Sequence, residues 1–242
     1  MIRRFLITLA ALAYLVSATT AQAGYLINPF WVATSPPSIT FLQCTSSISD
    51  LTTYTFAAQN VGTASDDRYT GVGVFGQDAT TIFGVSTVTV GGGSATEIVD
   101  EDGTGLVDTA FYMFLNTAGT SEDIVVTFSE AVTGAGVCLF QINNIASGTA
   151  VASVPDDDTA AGPVILTHNV SALGVSVGVC TTQGIGNRTS WTGQTERTDA
   201  EDAEISWSAA DFTNDDVADT PLTVNCDYLG TKDTSGVAAS FL

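Results

Sequence analysis

Short runs of β-branched and aromatic residues recur along most of this chain, broken by Gly, Asp, Thr and Ser. The spacing is roughly 8–12 residues with some longer gaps, the mark of a fold built from many short antiparallel strands. The runs include Ser38–Cys44, Tyr54–Ala58, Tyr69–Phe75, Val85–Val90, Ala95–Val99 and Phe111–Leu115. Later come Val164–His168, Val175–Cys180, Ile205–Trp207, Leu222–Tyr228 and Val237–Phe241. At the centre lies Ile124–Ile142, which reads as two strands, Ile124–Phe128 and Val137–Ile142, joined through Gly134 and Gly136. Gly91-Gly92-Gly93 can supply the positive backbone angles of a tight hairpin turn. After the N-terminal segment no stretch sustains a helical period, and Asp199–Glu204 is read as one helical turn at most. The expectation is an all-β fold, an antiparallel β-sandwich of jelly-roll or immunoglobulin-like type.

The chain opens with Arg3 and Arg4, continues through an apolar stretch from Phe5 to Val16, and reaches Ala21-Gln22-Ala23. A charged start, a short apolar core and small residues at the end predict a secretory signal peptide over residues 1–23. That core is too short for the ~20 residues of a bilayer-spanning helix, so no membrane insertion is expected after cleavage. An apolar leader over 24–37 ends in Pro36-Pro37, and 38–242 is expected to form a single β-sandwich domain.

Twenty-six acidic residues face six basic ones, for a net charge of −20. Such a surface repels nucleic-acid phosphates and anionic membranes, so no nucleic-acid partner is expected. It suits solubility in a salty medium, where self-repulsion is screened.

Cys44, Cys138, Cys180 and Cys226 lie far apart, with no C-x-x-C pair and one histidine, which argues against a zinc–thiolate site. In an exported chain two disulfides are the default, and three connectivities are open. Cys44–Cys138 with Cys180–Cys226 is the expected pairing, because each cysteine sits in or beside a predicted strand. Four buried free thiols are the alternative.

The candidate chemistry is thin. His168, at the end of a predicted strand, reads as a surface or capping residue, and no Gly-x-Ser-x-Gly elbow accompanies it. Paired carboxylates for glycoside hydrolysis could be drawn almost anywhere among so many acids, so a solvated acidic surface is the better account. In Asp100-Glu101-Asp102-Gly103-Thr104-Gly105, side-chain oxygens alternate and Gly105 stands where an EF-hand loop turns. Asp100, Asp102 and Asp108 are therefore the calcium candidates, although Phe111 occupies the place of the bidentate Glu; no other cofactor is expected. Trp191 and Trp207 have polar neighbours and are the candidates for stacking on a sugar, against inward packing as strand residues.

Some of these segments also resemble a known module. They are Tyr54-Thr55-Phe56 with Gly62–Arg68 and Val72-Gly73-Val74, then Thr120–Ser129, Asn187–Gly193 and Gly236–Phe241. Together they look like a β-rich module of uncharacterised structural proteins of tailed bacteriophages and related bacterial sequences. The resemblance covers most of residues 50–242; it implies a virion-surface or tail-associated structural role, or a domesticated version of one, and supplies no catalytic residues to carry over. The signal peptide and spaced cysteines add the expectation of a protein that is secreted, periplasmic, or displayed on a cell or virion surface. The chain is thus expected to be a non-enzymatic structural or attachment protein with protein partners or self-assembly. A lectin-like module that binds a glycan, or an acidic glycan hydrolase, stands as the alternative.

Overall fold

The computed structural model describes residues 35–101, 105–158, 163–184, 189–202, 205–228 and 233–242; the expected signal peptide and most of the leader lie outside them. Pro36–Leu242 makes up one unit. Every regular element among the described residues is a β-strand, and the pairing is antiparallel throughout.

The first sheet hangs on one long strand, β7 (Ser121–Asn143). The expected break at Gly134 and Gly136 does not occur; the two runs are halves of one strand. A Cβ on Gly136 would lie 2.2 Å from the Phe75 ring and 2.6 Å from the carbonyl oxygen of Thr45. That glycine marks a close approach rather than a turn. Along one edge of β7 run β3 (Val85–Val90) and β2 (Tyr69–Gln77); along the other runs β1 (Ser38–Asn60). Beyond β2 lie β6 (Val107–Leu115) and β5 (Thr96–Asp100), and beyond β3 lies the short β4 (Gly93–Ser94). Gly91 and Gly92, at φ +57° and +83°, form the two-residue hairpin turn between β3 and β4, as their sequence predicts.

The β1–β7 ribbon bends where its register slips, between Ile48 and Thr53. Beyond the bend the Gln59 carboxamide meets Gln43 and Thr45 of the same strand, at 2.6 and 2.9 Å. The first sheet therefore curls almost into a barrel around Val72, Val74, Tyr112, Ile124, Phe128 and Leu139.

The second sheet has the order β12 (Thr195–Glu201), β13 (Ile205–Thr213), β10 (Val175–Gln183), β15 (Thr234–Phe241), β8 (Ala152–Asp158). The third is β11 (Thr189–Thr192), β14 (Thr220–Tyr228), β9 (Val164–Val170). Phe75, Phe111 and Phe140 of the first sheet pack with Val177, Val179 and Phe241 of the second. The opposite face of the second sheet packs on Leu166 and Val224 of the third. The middle sheet is thus covered on both sides, which is why β10, β13 and β15 are buried nearly end to end. The molecule is the expected antiparallel β-sandwich, with a third layer added.

The edges of the middle sheet are polar. β12 carries Glu196, Arg197, Asp199 and Glu201, and β8 carries Pro155 and three aspartates. Charge and proline on an edge oppose pairing with another chain. Of Asp199–Glu204, read as one helical turn at most, Asp199–Glu201 is strand, with Asp199 paired to Ser208 and Glu201 to Ser206, and residues 203–204 lie outside the described residues.

Both expected disulfides form. Cys44–Cys138 staples β1 to β7 at a directly opposed pair, and Cys180–Cys226 joins the second sheet to the third.

Candidate functional sites

The acidic loop is the first candidate. Asp102 and Thr104 lie outside the described residues. Asp108 is fully buried, and its Oδ2 accepts the Val85 N–H at 3.0 Å while Oδ1 meets no donor. Burial first, and then the charges of Asp100 and Glu101, push its carboxyl up to about 9, so it holds its proton at neutral pH. Phe111 is a core residue packed edge-on against Phe140. Among the described residues no three His, Cys, Asp or Glu side chains are placed to hold a metal ion.

The two tryptophans are not brought together. Trp207 faces the first sheet, stacked on Phe75 with ring centroids 5.1 Å apart, and is 6% exposed. Trp191 faces the gap between the second and third sheets, where its Nε1 donates to Ser208 Oγ at 2.6 Å. Successive strand residues point to opposite faces, so Trp207 and Ser208 place the two indoles on opposite sides of one sheet. Neither ring offers a face to solvent for stacking.

Beside Trp191 lies a polar cluster that composition did not reveal. His168 is buried, not on the surface, because β9 runs on to Val170 and His168 shares the inward face with Val164, Leu166 and Val170. Burial pushes its imidazole down to about 4, so it is neutral at neutral pH. Its Nε2 lies 2.7 Å from Ser176 Oγ, which also accepts from Gln194 Nε2 at 2.9 Å. The ring tautomer sets which of the two donates, and Nδ1 meets no hydrogen-bond partner among the described residues. A serine and a base at this distance are the start of a nucleophilic pair. Here Ser176 has no exposed surface, and the pair ties two layers together.

Open grooves also occur among the described residues. One, of about 270 Å³, is lined by Ile39, Thr40, Phe41 and Arg197, whose guanidinium is held bidentate by Asp211 at 2.7 and 2.8 Å. The larger, of about 400 Å³, lies on the first sheet where the end of β6 meets the start of β2. Tyr69 is its aromatic wall, and Ser94, Thr96 and Thr149 bring hydroxyls to it; Phe114, paired opposite Thr70, turns its ring to the other face of the sheet, against the barrel core.

The fold and these sites define an antiparallel β-sandwich of three layers. No family model matches the chain, and no curated protein does. A solved structure described as the PBSX exported protein XepA aligns over 84% of this chain and 86% of its own, at 10% identity and a TM-score of 0.23. So low a score carries nothing across to this chain.

Proposed function

We propose that this protein is a non-enzymatic structural or attachment module that works outside the cytoplasm, on a cell or virion surface or in the surrounding medium. The observation that supports this most is the pair of disulfides, one pinning β1 to β7 and the other pinning two sheets together. Such bonds persist where the surroundings are oxidising. Around them, the interior is given to packing. The Ser176–His168 pair is sealed between layers, and both candidate tryptophans are buried. A net charge of −20 keeps the outer surface soluble, and the charged edges of the middle sheet leave other surfaces for partners.

Mass spectrometry without reduction, on protein recovered from purified particles, cell envelope and medium, tests this. Recovery there in many copies with no alkylatable thiol is the expected result. Recovery solely from the cytosol with four free thiols would reject it.

A further inference from the structure

We infer that the larger groove on the first sheet binds a neutral carbohydrate. Its aromatic wall is set before any ligand arrives. A Cβ on Gly148 would lie 2.6 Å from Tyr69 Cε1. The Tyr69 ring therefore rests against bare glycine backbone, which restricts its rotation and lowers the entropy lost on binding. Tyr69 is half-buried, whereas the Ser94, Thr96 and Thr149 residues beside it are exposed.

The lining chemistry selects the ligand class. Tyr69, Ser94, Thr96 and Thr149 supply hydroxyls that can donate or accept, and within the described residues those hydroxyls make no hydrogen bond to protein. Leu115, 49% exposed, adds apolar surface. None of the groove's lining residues is charged, in a chain carrying 32 charged Asp, Glu, Lys and Arg residues. An anionic ligand would find no cation there and would meet the repulsion of the whole molecule. A cationic ligand would find no carboxylate. What fits is a neutral molecule with an apolar C–H face for an aromatic ring and a rim of hydroxyls for the threonines and serine, which describes a pyranose. A volume of about 400 Å³ falls in the range of small-molecule sites.

This inference deepens the attachment reading above by naming what would be held. Isothermal titration of the mature chain with cellopentaose, maltopentaose and chitotriose, with sialyllactose as the anionic control, tests it. At least one neutral glycan is expected to bind, sialyllactose much more weakly, and Tyr69→Ala to weaken binding by about tenfold, the worth of a lost stacking contact. Thr149→Arg, at an exposed position, blocks the groove without removing a core side chain and serves if the Tyr69 variant unfolds. Failure of all three neutral glycans to bind with a Kd below about 10 mM would overturn the site. So would unchanged binding by Thr149→Arg, or equal binding of sialyllactose. Any of these, with thiol-free protein still recovered outside the cytoplasm, removes the groove and leaves the attachment reading standing.

Discussion

Arg68 and Asn116 exchange hydrogen bonds: the Asn116 N–H donates to the Arg68 carbonyl at 2.9 Å, and Arg68 Nε donates to the Asn116 carbonyl at 2.6 Å. The rest of the guanidinium donates to the carbonyls of Gly62, Ala118 and Gly119, and the residue has no exposed surface. One planar cation thus joins the loop after β1 to the loop after β6. Lysine carries the charge but cannot reach several carbonyls in a fork. Arg68→Lys is expected to lower unfolding free energy by about 2–3 kcal/mol in a denaturant titration, because carbonyls are left unpaired around a buried ammonium.

Two buried groups set the pH dependence of stability, with opposite signs. The Asp108 carboxyl titrates near 9 in the fold against an ordinary 3.8, so the native state keeps a proton that the unfolded chain has lost. Its contribution falls as pH rises between those values, by at most about 1.4 kcal/mol per unit. His168 titrates near 4 against 6.5, so its contribution falls as pH drops through that window. The two oppose each other between about 4 and 6.5, and above that Asp108 acts alone of the pair. Thermal melts from pH 5 to 9 should show Tm declining on the alkaline side. Asp108→Asn, which can still accept the Val85 N–H, should remove that decline and uncover a fall in Tm below pH 6.5, whereas His168→Gln should carry the decline on through the acid side.

The gap between the first two sheets is tight enough to respond to a methyl group. A Cβ on Gly73 would lie 2.3 Å from Val179 Cγ2 and no closer than 3.2 Å to the other atoms nearest it, all of the same side chain. Gly73→Ala is expected to cost about 1–3 kcal/mol by overpacking, and Val179→Ala should recover part of that in the double variant. At Gly136 the obstacle includes the Thr45 carbonyl, so Gly136→Ala should show no comparable rescue by trimming Phe75.

Local chemistry explains which parts of the fold were legible in the sequence. The β3–β4 hairpin follows from adjacent residues, Val85–Val90 and the glycines after it. The inward face of His168 was equally local, since Val164, Leu166 and Val170 alternate with it; ending the strand at His168 hid this. β8 and β12 look like loops because they are edge strands, where Pro155 and the carboxylates that discourage aggregation also erase the β signal. Gly136 reads as a turn in the sequence because what forbids a side chain there comes from Phe75 and Thr45, far away in the chain. The groove is hidden from the sequence for the same reason: Tyr69, Ser94, Thr96 and Thr149 meet only when the sheet closes.

The two disulfides should not be equal in effect. Cys180–Cys226 closes a separation of 46 residues and links two sheets, whereas Cys44–Cys138 closes 94 and links strands already hydrogen-bonded along their length. Loop closure alone predicts roughly 4–5 kcal/mol for each. Paired Cys→Ser variants, followed by calorimetry, should show the third sheet loosening when Cys180–Cys226 is lost, with faster amide exchange in β9, β11 and β14. Loss of Cys44–Cys138 should speed exchange in β1 instead.

The staple on β1 also decides how the molecule bears tension. β1 pairs with β7 alone among the described strands, and an outermost strand is ordinarily the first to peel when its end is pulled. Traction from the Ser38 end can unzip only the pairs ahead of Cys44 before it meets a covalent bond. Beyond that point the load passes into β7, which is flanked by β2 and β3, and so into the whole first sheet. An optical trap should record a short initial extension followed by a stiff plateau, and reductant should convert this to progressive peeling. The strand most exposed to loss is, mechanically, an anchor cable.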